Sequence, residues 1–173
     1  MTKLTPPHDP VEALGEAYEL LLEKTLAEAH QAKVKSGPAL HQLIDEVAQK
    51  SSDMTELAGE EAEKIGQYLK RDLIDAASYI DKTGKELKDW LGFDLMYLKD
   101  RLRDDFSKAA DQTTIELLNL KQQAEAAGYR TGEIVGPGSL ICDQCGEKLH
   151  FHNAGHIPPC PKCQGTHFHR QAE

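Results

Sequence analysis

CDQCGEKLHFHNAGHIPPCPKCQGTHFH, running from Cys142 to His169, holds all four cysteines of the chain and five of its eight histidines. The cysteines form two CxxC pairs, Cys142/Cys145 and Cys160/Cys163, with fourteen residues between them. Two thiolates two residues apart reach one ion from a single tight turn, and two such turns supply a tetrahedral Zn²⁺ site with Zn–S distances of about 2.3 Å. Gly146 follows the first pair and Gly165 closes the second one residue later, where backbone N–H groups can approach sulfur. Pro158, Pro159 and Pro161 stiffen the second turn. Two disulfides or a thioredoxin-like redox pair would use the same residues. The redox reading lacks a βαβ pattern and does not account for two matched pairs. Iron in a rubredoxin-like site would take the same four ligands.

Four cysteines close a metal's shell, whereas a catalytic zinc keeps a position open for water. The expected ion is therefore one structural Zn²⁺, whose binding energy replaces the core that so short a segment cannot build. Within the same stretch, His150-Phe151-His152 and His167-Phe168-His169 alternate with period two, as strands do. If these strands pair, Phe151 and Phe168 lie over the cysteines while His150, His152, His167 and His169 share an outer face. Four solvated imidazoles are the expected reading, since no carboxylate stands at ligand spacing beside them, and a second metal there is the sharper alternative. His156 falls in the intervening turn.

Outward from this stretch the composition changes near Gly128. Seven of the chain's 13 glycines lie from there on, and before it Leu, Ala, Glu, Lys and Asp dominate. Two parts are expected, a helical domain over residues 1–128 and a zinc-ribbon domain over 129–173. Asp9-Pro10-Val11-Glu12 opens a helix with a capping residue and a proline at the first helical position. Val11, Leu14, Tyr18, Leu21, Leu22, Leu26 and Ala29 follow at steps of three and four. Ser36-Gly37-Pro38 breaks the chain, and Leu40, Leu43, Ile44 and Val47 resume the period to about Lys50. A third stripe starts after Ser51-Ser52-Asp53 and takes in Met54, Leu57, Ile65, Leu69, Leu73 and Ile80. Gly84 and Gly92 bend or end helices. Leu95, Leu98, Leu102, Phe106, Ala109, Thr113, Leu117 and Leu120 make a last stripe up to Gly128. The expected class is mainly α: an amphipathic bundle or long helical hairpins, followed by a small C-terminal β zinc ribbon. Several runs approach heptad spacing, which leaves a coiled-coil dimer open.

Hydrophobic residues make up 39% and aromatics 6%, and no window is apolar enough to span a membrane. Met1–Pro7 has no apolar run after its single lysine, so a cytoplasmic location is expected, where paired cysteines bind metal more often than they form disulfides. The net charge is −9: residues 1–130 carry 17 basic and 25 acidic side chains, and residues 131–173 carry three and four. Neither part offers the Lys and Arg surface that phosphate backbones require. No phosphate-binding glycine loop, GxSxG or HExxH occurs, and no cysteine is left over as a nucleophile.

One stretch is recognisable beyond its chemistry. Gly132-Glu133-Ile134-Val135-Gly136-Pro137-Gly138-Ser139-Leu140-Ile141-Cys142, followed by Pro159-Cys160-Pro161-Lys162-Cys163 and by Phe168-His169-Arg170, resembles the bacterial YbeL-like zinc-ribbon proteins. Their tail reads G-E-x-V-G-x-G-x-L-x-C-x-x-C, then C-P-x-C-G and a late F-x-R. Gln164 departs from that pattern where a glycine is usual, which touches local turn geometry. The likeness is specific over Thr113–Arg170 and implies helices followed by a zinc ribbon, without an activity. The expected function is a non-enzymatic zinc-binding protein whose ribbon docks onto another protein. A nucleic-acid-associated factor of transcription or the ribosome is the alternative, and a redox or zinc sensor a further one.

Overall fold

A computed structural model of the chain describes residues 10–52, 59–123 and 128–170. Asp9, Asp53, Met54 and Leu57 lie outside the described residues. Among the described residues six helices come first: α1 (Pro10–Gln31), α2 (Gly37–Ser52), α3 (Gly59–Thr83), α4 (Leu87–Leu91), α5 (Asp100–Thr113) and α6 (Leu117–Gln123). A 3-10 turn, Leu95–Tyr97, joins α4 to α5. Six short strands follow: β1 (Tyr129–Arg130), β2 (Ile134–Val135), β3 (Gly138–Cys142), β4 (Lys148–Phe151), β5 (Gly155–His156) and β6 (His167–Arg170). Among the described residues no helix is long and apolar enough to cross a membrane.

The stripes form because residues three and four apart share one helix face. Tyr18, Leu21 and Leu22 of α1 meet Leu40, Ile44 and Val47 of α2, and Ile65, Leu69, Leu73 and Ala76 of α3 close the same core. Trp90 and Leu91 of α4 and Leu102, Phe106 and Ala109 of α5 complete it, with the Trp90 and Phe106 rings stacked at 5.6 Å. Ile134, a ribbon residue, is buried in this helical core as well.

The last stripe is not one helix. Thr113 and Thr114 turn their hydroxyls back onto the carbonyls of Ala109 and Asp111, and Glu116 takes a left-handed φ of 61°. Such side-chain bonds compete with the helical ladder. The Ile115 carbonyl, freed by the break, accepts the Gly37 N–H at the start of α2. Leu117 and Leu120 nonetheless stay buried, because the short turn returns α6 to the same face.

The strands form a four-stranded antiparallel sheet in the order β1-β6-β3-β4 and a separate two-stranded pair, β2-β5. The two His-Phe-His segments therefore do not pair with each other, and the condition raised from their alternation is not met. β4 and β6 flank β3 on opposite sides: Cys142 of β3 is opposite Phe168, and Gly138 is opposite Phe151. Period-two alternation fixes which face a residue takes but not which strand lies next to it.

Candidate metal centre

Each CxxC pair sits at a hairpin of the same construction. In the first, the Cys142 N–H donates to the Glu147 carbonyl, and the Gly146 N–H returns to the Cys142 carbonyl at 2.9 Å. In the second, the Cys160 N–H donates to the Gly165 carbonyl, and the Gln164 N–H returns to the Cys160 carbonyl at 2.9 Å. The corner residue of each is left-handed, Gly146 at φ 76° and Gln164 at φ 64°. Gly165 lies against the cluster itself. A Cβ there would stand 3.1 Å from the Cys142 sulfur and 3.2 Å from that of Cys163. Its N–H points to the Cys163 Sγ at 3.4 Å.

The four sulfurs lie within 4.8 Å of one another, all as free cysteines. Cys142 and Cys163 are 3.5 Å apart and Cys145 and Cys160 3.6 Å, close to the edge of about 3.8 Å that a tetrahedron of 2.3 Å Zn–S bonds requires. The donor set and its spacing fit one structural zinc ion, which would cross-link the two hairpins. Burial works against a thiolate at Cys160, but the backbone N–H groups of Cys163 and Lys162 outweigh it and bring the thiol down to about 7. Cys163 goes the other way. The Gly165 N–H favours its thiolate, but burial and the neighbouring sulfurs push it up to about 12. Without a cation, these sulfurs cannot all carry charge.

Cys142 and Cys160 are buried in a second core with Tyr129, Val135, Leu140, Ile157 and Phe168, and Phe151 packs against it. The packing expected of Phe151 and Phe168 is found, with β3 between them. The histidines are not gathered around an ion. His150 Nδ1 is 2.7 Å from Ser139 Oγ, whose hydroxyl donates to the Leu91 carbonyl, so the imidazole is the donor. His152 stacks on Tyr97, His169 meets Asp143 and His167 meets Thr166. His156 belongs to β5, opposite Ile134.

A cluster that the sequence reading missed joins the ribbon to the helices. Asp72 of α3, fully buried, accepts from the Tyr18 hydroxyl at 2.6 Å and from the Gly136 N–H at 2.8 Å. Arg71 donates from Nε to Asp72 at 3.2 Å, from Nη1 to Glu133 at 2.6 Å and from Nη2 to the Ile134 carbonyl at 3.0 Å. Tyr129 donates to Asp75. Arg170, the end of β6, enters the same space with its guanidinium 4.3 Å from the Trp90 ring and 5.0 Å from that of Tyr129. Burial raises the Tyr18 and Tyr129 phenols well above their ordinary value, so both remain donors. Burial works against the Arg170 cation, but Tyr129, Asp72 and Asp75 outweigh it and raise its pKa. The G-E-x-V-G stretch, which supplies Glu133 and Gly136, and the late F-x-R, which supplies Arg170, were the traces of this cluster in the sequence.

The family described as "Zinc-ribbon containing domain" matches residues 27–172. The chain is similar to "Uncharacterized protein YbeL" of Escherichia coli strain K12, with 28% identity over 134 residues, covering 75% of this chain and 80% of the relative. The proteins of the same description in Escherichia coli O6:H1 and O157:H7 match to the same extent. No solved structure matches the chain.

Proposed function

The chain belongs to the family of zinc-ribbon containing domains, and from that premise we propose that it is a non-enzymatic interaction protein, its ribbon held by zinc and docked onto a protein partner. The observation that carries this reading is a closed metal shell beside an open strand edge. Four sulfurs leave a bound ion no position for substrate, which favours a structural role. β4 is an edge strand, and among the described residues nothing pairs with its outer side. Next to it, Tyr97 is 58% exposed while stacked on His152, and Met96 is 74% exposed. Exposed aromatic and methionine side chains are what protein partners bury, and an open edge accepts an extended segment through backbone hydrogen bonds.

Charge supports a protein over a nucleic acid. Of the ribbon's permanent cations, Arg170 is buried and Lys162 lies 3.8 Å from Glu147, leaving Arg130 and Lys148 as the exposed remainder. The test is a pull-down from lysate with the tagged, zinc-loaded chain, with and without nuclease. Cys160→Ser and a Met96→Asp/Tyr97→Asp double variant serve as controls. A protein that survives nuclease and is lost with both variants supports the reading. Recovery of RNA or DNA, or of partners lost on nuclease treatment, overturns it in favour of a nucleic-acid-associated module.

A further inference from the structure

We propose that the cysteine cluster acts as a latch on the helical part of the chain: through Arg170, metal occupancy is coupled to the seating of the ribbon on α1, α3 and α4. The connection is short. Only Gln164, Gly165 and Thr166 separate Cys163 from β6, and Phe168 in β6 is opposite both Cys142 of β3 and Tyr129 of β1. The Asp143 N–H, next to Cys142, donates to the His167 carbonyl at 3.0 Å. Two residues beyond Phe168, on the same side of the strand, Arg170 is 6% exposed among helical residues. Its Nη1 donates to the Pro137 carbonyl at 3.2 Å, and Nη2 lies 3.3 Å from Asp72 Oδ1. One end of β6 is thus fixed by the metal ligands and the other by the helical core.

The seat of Arg170 is only partly satisfied by its own contacts with Pro137 and Asp72. Its Nε and Nη2 are buried without a well-formed hydrogen bond, and a buried cation with unsatisfied donors stays in place only when its surroundings hold it there. The strand does so, and the metal fixes the strand. Without the ion, backbone pairing of β3 with β6 remains, but no bond joins the Cys142 and Cys163 sulfurs, which lie 3.5 Å apart. Linkage makes the coupling reciprocal: whatever the metal gives to the seating of Arg170, Arg170 returns to metal affinity.

Trp90 reports the seat directly. It is the chain's one tryptophan, 1% exposed beneath the Arg170 guanidinium. Stripping zinc from the full-length loaded protein with a chelator should red-shift Trp90 emission and open it to a neutral quencher, and restoring Zn²⁺ should reverse both. Emission unmoved after complete zinc release, measured with a metallochromic dye, overturns the proposal. In chelator competition, Arg170→Met should bind zinc about tenfold more weakly than the wild type. Ile44→Val, which trims the α2 core away from the ribbon, should bind it unchanged. Wild-type affinity in Arg170→Met is the second overturning result, and the Trp90 arm stands even if that variant does not fold.

Discussion

Gln164 and Gly146 occupy the same corner of the two cysteine hairpins, each four residues past the leading cysteine, with φ of 64° and 76°. A side chain in that conformation costs roughly 1 kcal/mol, which glycine avoids at the expense of a more flexible unfolded chain. Gln164→Gly should therefore stabilise the zinc-loaded protein by about 0.5 kcal/mol, and Gly146→Ala should destabilise it by about as much. Thermal melts of the two variants should move in opposite directions. Shifts of the same sign would show that the two corners are not equivalent.

Asp72 gathers Tyr18, Arg71, Arg170 and the Gly136 N–H onto one buried carboxylate. Asp72→Asn leaves two guanidinium groups facing a neutral amide and should cost about 3 kcal/mol or more. Tyr18→Phe removes one charge-assisted hydrogen bond and should cost about 1.5–3 kcal/mol. Chemical denaturation of the zinc-loaded proteins tests both. A cost at Asp72 no larger than that at Tyr18 would mean the arginines are sustained by their aromatic neighbours and not by the carboxylate.

His41 gives the helical core a pH dependence of its own. Its Nε2 is 3.1 Å from Thr113 Oγ1, and that hydroxyl already donates to the Ala109 carbonyl, so the imidazole must be the donor. Burial first, and Lys70 second, lower its pKa to about 4. The unfolded chain therefore binds the extra proton between pH 6.5 and about 4, and stability falls as the pH drops through that window. The full effect is up to about 3 kcal/mol. His41→Gln retains a donor to Thr113 but does not titrate. Across those pH values it should lose less stability than the wild type, with any acid release of zinc common to both. Parallel curves would assign the acid sensitivity elsewhere.

Metal content provides a fourth test. Wild-type protein should carry one zinc per chain, and Cys142→Ser or Cys160→Ser should carry none, because both sulfurs are buried and among the described residues neither has a substitute nearby. Cobalt in place of zinc should show the intense visible bands of tetrahedral sulfur coordination. Bands typical of six ligands would rule out a closed shell of four thiolates.

How far the sequence could be read follows from the range of each interaction. Cys142, Cys145, Cys160 and Cys163 were legible because their chemistry is carried by local spacing. The stripes through Leu40–Val47 and Ile65–Ala76 were legible because a helix buries residues three and four apart. The break at Glu116 was hidden, since Thr113, Leu117 and Leu120 keep their period across it while the turn is decided by hydroxyl-to-carbonyl bonds. The partner of the second His-Phe-His segment depends on β3 lying between the strands, which is a matter of topology. Asp72 and Arg170 look like ordinary charged residues, and nothing near either one indicates that they meet.

The Tyr18–Asp72–Gly136 linkage, together with the Ala154 N–H donating to Glu19 at 3.2 Å, also bears on the order of synthesis. α1 emerges from the ribosome well over a hundred residues before Ala154 does. At about 5–20 residues per second it waits on the order of ten seconds for the part of the chain that covers it. From its own synthesis until Gly136 and then Arg170 follow, Asp72 lacks both of those partners. A nascent chain stalled before the ribbon would therefore present to chaperones a bundle whose central carboxylate has only Tyr18 and Arg71 as partners.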